Sequence, residues 1–182
     1  MGTLQYAILG MLNRDSMTGY DLTREFQTSL FDFWTAKHSQ VYPELKSLLE
    51  KGYVEYETEI SGTALEKKVY TITQQGRDAF QNWEETAYPI KPIPKDEFRL
   101  QLFFSDAMEP EMRLKQLEYH LQQHRQRLEQ IRKKQEKFDT IPPKEESQFC
   151  DYLVMQGAIH REESYCSWLE ECINLCQQRK IL

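Results

Sequence analysis

The chain has 182 residues, 40% hydrophobic and 29% charged, with few Gly and Pro, the composition of a folded protein that buries a core. No apolar run approaches the ~20 residues that span a bilayer, and a net charge of −6 argues against binding nucleic acid by bulk charge alone. Residues 1–86 carry 8 Lys/Arg against 13 Asp/Glu and residues 87–182 carry 15 against 16, so any phosphate contact must come from local positive groups.

Leu4, Ala7, Ile8, Met11 and Leu12 share one face of a helix predicted over Thr3 to Asn13, with Thr3 as N-cap. The start "MGTLQYAILGML" lacks a basic leader and a small-residue cleavage site, so it reads as a first helix and not as a signal peptide. "RDSMTG" breaks it. Leu22, Phe26 and Leu30 then mark a second amphipathic helix, Gly19 to Leu30, followed by the aromatic connector "FDFWTAKH". A third helix is predicted from Ser39, as N-cap, to Lys51, with Gly52 as a left-handed C-cap. Counted from Ser39, Pro43 is the fourth helical residue and removes no intrahelical hydrogen bond.

Two runs rich in β-branched and aromatic residues follow, Tyr53–Ile60 and Lys68–Thr73, joined by the hairpin loop "SGTALEK". Thr73 is placed to cap a helix carrying Phe80 and Trp83. The stretch "YPIKPIPKD", residues 88–96, is a Pro-rich linker. The order helix, helix, helix, hairpin, helix is that of a winged helix-turn-helix. The chain is expected to be mostly α with a small β-hairpin: a winged helix-turn-helix at 1–87, the linker at 88–96, and a helical dimerisation and effector domain at 97–182.

The second half is nearly all helical. "DEFRLQLFFSDA" is a short apolar helix, and Glu109 opens a long one with Pro110 in its first turn. Leu114, Leu117, Leu121, His124, Leu128, Ile131, Gln135 and Phe138 keep a heptad spacing. After the break "DTIPPKEES", the spacing resumes at Tyr152, Met155, Ile159, Glu162, Cys166, Leu169, Ile173 and Cys176. Such a seam closes within one chain or against a second copy. A two-fold dimer lets two reading units share one site, so a homodimer seam is expected, built on Leu114, Leu117, Leu121, Leu128, Ile131, Tyr152, Met155, Ile159, Leu169 and Ile173.

On the third helix Val41, Leu45, Leu48 and Leu49 cluster on one side, while Ser39, Pro43, Lys46, Ser47 and Glu50 lie opposite. The front thus presents hydroxyl, amide and phenol groups and a lysine at the positive end of a helix dipole. The N-terminal residues of a recognition helix reach base edges in the major groove. Gln40 suits adenine, Lys46 suits guanine or phosphate, and Ser39 and Tyr42 suit phosphate oxygens. Lys37, His38 and Pro43 complete this face, and Gly62, Thr63, Lys67 and Lys68 form the wing tip.

The chain carries four histidines: His38, His120, His124 and His160. His120 and His124 stand four apart, but "HLQQH" lacks the glutamate of a zinc-protease helix. No phosphate-cradling loop or nucleophile elbow is present, so no catalytic residue, metal or cofactor is expected. Cys150, Cys166, Cys172 and Cys176 fit no metal or redox spacing, and reduced thiols in the cytoplasm are expected. The acidic strand "EYETE" keeps a second class open, a coiled-coil adaptor that uses its winged helix for protein contacts.

"YAILGML", "TGYDL", "FW", "SQVYPELKSLLEKGYV", "EKKVYTIT" and "GR", spread over about residues 4–86, resemble the PadR family of winged-helix repressors. "KDEFRLQLFF" and "YLVMQGAIHREESYCSWLE" are similar to the long helical domain of its larger subgroup, and "FWTAKHSQVYPELK" with "GTALEKKVYTIT" resembles its phenolic-acid-responsive branch. The resemblance implies a homodimer on an ATGT/ACAT-type inverted repeat in double-stranded DNA, repressing a phenolic acid decarboxylase operon. It implies release by p-coumarate, ferulate or caffeate, bound between the winged helix and the C-terminal domain; a family member answering another effector is the alternative. Such a ligand needs a flat apolar slot and partners for its phenol and carboxylate. Candidates are Tyr6, Tyr20, Phe33, Trp34, Phe98, Phe103, His160, Arg161 and Trp168.

Overall fold

The computed structural model describes residues 1–28, 34, 36–61 and 65–178. It divides into two compact units, Met1–Ile90 and Lys91–Leu182. In the first, α1 spans Thr3–Arg14, β1 Met17–Thr18, α2 Gly19–Thr28, α3 His38–Glu50, β2 Val54–Ser61, β3 Leu65–Ile72 and α4 Gln74–Glu84. The strands form one antiparallel sheet in the order β1-β3-β2. Ile8, Leu9, Leu12, Leu22, Phe26, Val41, Leu45, Leu48, Val54, Ile72 and Phe80 make its core. Each comes from the apolar stripe of its own element, so the helices and the sheet share one buried centre.

Local chemistry sets the element ends. Thr18 and Asp21 form a reciprocal cap at the start of α2. The Asp21 amide donates to Thr18 Oγ1 at 3.1 Å, and the Thr18 hydroxyl donates to Asp21 Oδ2 at 2.7 Å. That hydroxyl, above all, holds the Asp21 carboxyl below its ordinary pKa. At the end of α3, Gly52 adopts φ 71°, with its N–H on the Leu49 carbonyl and the Tyr53 N–H on the Leu48 carbonyl, both at 3.0 Å. This is the Schellman ending that Gly52 was expected to give. Thr73 caps α4 as predicted: its Oγ1 accepts from the Gly76 N–H at 3.1 Å. It also ties the cap to α3, donating to the Gly52 carbonyl at 2.7 Å.

Several boundaries differ from the sequence reading. The cap of α1 falls on Gly2, and Thr3 is the first helical residue. Helix α3 starts at His38, so Ser39 lies inside its first turn and is not the N-cap. Pro43 is then the sixth helical residue, beyond the four free N–H groups, and the usual bond from residue 43 to the Ser39 carbonyl cannot form. Strand β1, two residues long, was not expected; Met17 pairs with Tyr70 and Thr18 with Val69. Leu30 lies outside the described residues.

In the second unit, α5 spans Glu97–Phe103, capped by Asp96, whose Oδ1 accepts from the Arg99 N–H at 3.0 Å. A 3-10 turn at Ser105–Ala107 cuts the predicted apolar helix short. Helix α6 spans Pro110–Gln135 and α7 spans Ser147–Gln177. They pack on each other as a helical hairpin. Leu117, Leu121, Ile131, Ile159 and Leu169 are buried, while Leu114, Leu128, Tyr152, Met155 and Ile173 are half-buried. Leu117, Leu121, Leu128, Ile131, Met155, Ile159, Leu169 and Ile173 pack in the apolar clusters of this unit.

Two polar seam positions meet inside the hairpin. Glu162, with 3% side-chain exposure, faces His124 Nδ1 at 2.6 Å, Arg161 Nε at 3.3 Å and Arg127 Nε at 3.6 Å. The Tyr165 ring stacks on His124, and its hydroxyl donates to the Asp96 carboxylate. Burial first, and then this bond, pushes the Tyr165 phenol up to about 12. The same bond holds Asp96 below its ordinary value.

Candidate nucleic-acid interface

Helix α3 turns Val41, Leu45 and Leu48 into the core of the first unit, at no more than 1% exposure. The 3.6-residue period then forces Lys37, His38, Ser39, Gln40, Tyr42, Pro43 and Lys46 outward, and each of them is exposed. The front is shaped as well as open. The His38 ring lies on Tyr42, centroids 4.2 Å apart. Tyr42 packs over Gly19 at the start of α2. Two helices meeting at so small a residue is how a helix-turn-helix brings its backbones together.

The cap of α3 uses one of its candidate base readers. Gln40 Oε1 accepts from the Lys37 N–H at 3.0 Å, while its Nε2 is left to donate elsewhere. This is the return half of a capping box; a Lys side chain cannot supply the forward half because an ammonium has no acceptor. To read adenine with both amide atoms, Gln40 must share or exchange that bond. Lys46 Nζ stands 4.0 Å from Glu50 Oε1 on open surface, a contact too weak to hold it back from phosphate.

Lys67 and Lys68 are exposed on β3, opposite Glu59 and Thr58 of β2. The Lys68 ammonium sits 4.2 Å over the Tyr56 ring, a cation–π contact that fixes its stem. Gly62 and Thr63, the other two wing candidates, lie outside the described residues. Glu55, Glu57 and Glu59 take alternate positions on β2 and so share one face, exposed to solvent. Four of the eight basic residues of this unit, Lys37, Lys46, Lys67 and Lys68, thus lie on the α3 front and the wing, with acid beside them.

The sequence matches the "Transcriptional regulator PadR-like family" over residues 8–82 and "Virulence activator alpha C-term" over residues 94–177. It is 39% identical to the "Negative transcriptional regulator PadR" of Bacillus subtilis, over 95% of this chain and 97% of the relative. The chain belongs to the PadR-like family of transcriptional regulators. Among solved structures, it superposes on Bacillus subtilis PadR in complex with operator DNA with a TM-score of 0.92 and 36% identity, over 97% of this chain and 100% of that one. For the same protein in complex with p-coumaric acid the values are 0.87 and 33%, over 97% and 100%.

Membership of the PadR-like family settles the class: the chain is a transcriptional regulator and not an enzyme. His120 and His124 have packed surroundings. His120 stacks on Phe98 at 3.6 Å, and His124 pairs with Glu162. Among the described residues no group of three or more His, Cys, Asp or Glu is placed to hold a metal, and no helix is long and apolar enough to cross a membrane.

The effector candidates of this PadR-like chain fall in both units. In the first, Tyr6 stacks on Trp83 at 4.9 Å, Trp34 packs against the core, and Tyr20 is 67% exposed. Phe33 lies outside the described residues. In the second, buried Phe98 meets Trp168 edge-on at 6.3 Å. Arg161 is held by Glu162, exposed His160 faces Glu163 at 3.5 Å, and Phe103, 78% exposed, packs on Phe104.

The sequence reading missed Gln5, buried against α3, and the pairing of Thr18 with Asp21. The second carried a signal, a Thr followed three residues later by an acid. The first carried none, because a polar residue on an otherwise apolar helix face does not reveal its partner.

Proposed function

We propose that the protein is a cytoplasmic, homodimeric repressor that binds an ATGT/ACAT-type inverted repeat through α3 and the wing. It controls a phenolic acid decarboxylase operon and leaves its operator when p-coumarate, ferulate or caffeate binds. The observation that carries the reading is the exposed front of α3, where Gln40, Tyr42 and Lys46 stand clear of the core on a helix held in a helix-turn-helix. Support also comes from a relative named as a negative regulator, with structures described in complex with operator DNA and with p-coumaric acid. Exposed Leu100, Phe103, Phe104, Met112, Leu153 and Val154 on the second unit supply apolar surface for a second copy.

Fluorescence anisotropy on a labelled inverted repeat, with and without p-coumarate, tests the reading. Binding that p-coumarate abolishes is the expected result. Binding that ignores it discards the phenolic effector and keeps the repressor. Light scattering is expected to give twice the 21.8 kDa chain mass; a monomer contradicts the dimer.

A second reading, a protein-binding adaptor, is favoured by the row Glu55, Glu57 and Glu59. Salt separates the two. A DNA binder loses affinity steeply, with a log–log slope of about −0.9 per phosphate contact, while an adaptor shows no DNA binding at low salt.

A further inference from the structure

Gln5 is a polar side chain in an apolar place. It sits on α1 at 4% exposure, and all three of its side-chain bonds end on α3 or its C-cap. Its Nε2 donates to Glu44 Oε2 at 2.7 Å and to Ser47 Oγ at 3.1 Å, and its Oε1 accepts from Lys51 Nζ at 3.2 Å. Positions 44, 47 and 51 are three and four apart, so they form one stripe along two turns of α3. A planar amide with donors and acceptor at fixed angles grips that stripe at three points.

The stripe is a flank of the helix, between the buried side of Val41, Leu45 and Leu48 and the open front. On the other flank Tyr42 rests on Gly19. Apolar packing sets how deep α3 lies but resists rotation weakly, because it is non-directional. Directional bonds on one flank and a close approach on the other fix its roll. With side-chain tips about 5–6 Å from the axis, a roll of about 10° moves a tip by about 1 Å, enough to spoil a hydrogen bond to a base edge. Lysines on flexible stems follow phosphate through such a shift; a bidentate amide does not follow a base.

We propose that Gln5 is a positioning residue for sequence recognition. It fixes the roll of α3 from behind, and so sets the preference for operator over other DNA without touching DNA. The proposal rests on α3 being the reading helix.

The test compares the labelled inverted repeat with a scrambled duplex of equal length, for three sets of variants. Gln5→Met keeps the length and removes the bonds; operator affinity is expected to fall about tenfold while scrambled-duplex affinity changes by less than about threefold. Equal losses on both duplexes, or none on either, overturn the proposal. Gln5→Glu and Glu44→Gln are each expected to weaken the operator preference. The double variant Gln5→Glu, Glu44→Gln reverses the donor–acceptor pair, keeps at position 5 an oxygen that accepts from Lys51 Nζ, and leaves net charge unchanged. It is expected to return the preference to within about threefold of wild type, and a double variant no better than the worse single overturns the proposal. Circular dichroism melts accompany each titration; if Gln5→Met does not fold, the double variant decides, since it retains every hydrogen-bonding group. A wild type without operator preference overturns the reading of α3 itself, whereas a preference that ignores Gln5 overturns this inference alone.

Discussion

Tyr42 closes over Gly19: a Cβ placed on that glycine would lie 2.8 Å from the Tyr42 ring carbon Cζ. The clash falls on the far end of a side chain that is 39% exposed, so the ring can swing away. Gly19→Ala is expected to cost less than about 1 kcal/mol of stability but to displace Tyr42 and weaken operator binding severalfold. Urea unfolding and anisotropy together check this; a variant that binds as wild type removes Tyr42 from the contact surface.

Gly76 meets something less yielding. A Cβ there would sit 2.1 Å from the Tyr53 carbonyl oxygen, so backbone must move. Gly76→Ala is expected to cost about 2–3 kcal/mol, and Thr73→Ala, which loses the cap hydroxyl at the same helix start, about 1 kcal/mol. Urea denaturation gives both, and the reverse ranking contradicts the packing described here.

Glu162 is a buried carboxylate that depends on its partners. Glu162→Leu leaves His124, 21% exposed, against an apolar wall and strips an anchor from Arg127 and Arg161, which reach solvent. A loss of about 1–3 kcal/mol is expected. The double variant His124→Leu, Glu162→Leu is expected to regain most of it, because two apolar side chains can fill the seam. A double variant as unstable as the sum of the singles contradicts coupling between the two residues.

Acid should loosen the second unit through His120 and Asp96. Burial first, with His124 beside it, lowers the His120 pKa from 6.5. A lowered folded value means the unfolded chain binds more protons, so this contribution is complete above about pH 6.5 and is lost as pH falls through the folded value. Asp96, lowered from 3.8 chiefly by the Tyr165 hydroxyl, acts in the same direction below about pH 4. Melting temperature is expected to fall between pH 7.5 and 5.5, and less so in His120→Gln. Equal falls in both proteins remove His120 from the account.

The order of elements was readable because periodicity changes sharply along the chain, from helical stripes to alternating strands and back. The C-cap at Gly52 and the N-cap at Thr73 were readable because each depends on one residue type at one position. The start of α3 was not, since Gln40 caps it from inside the helix while Ser39 looks the better cap. Strand β1, at two residues, is too short to leave a period. The outward face of α3 followed from its apolar stripe. The partner of the α6 seam did not, because heptad spacing is the same whether the facing helix belongs to the same chain or to another. Aromatic effector candidates such as Tyr6 and Phe98 are hardest of all: ring packing in a core and ring packing on a ligand call for the same residues.

The central claim is that the front of α3 reads base sequence. Anisotropy titrations of wild type and of Gln40→Ala, Lys46→Ala against the inverted repeat and a scrambled duplex, at one fixed salt concentration, test it most directly. The account predicts that wild type prefers the operator and that the double variant loses about tenfold or more of that preference while it stays folded, its melting temperature lowered only by the lost Gln40 cap bond. A double variant that folds and still discriminates as wild type does would place sequence reading elsewhere and contradict the account.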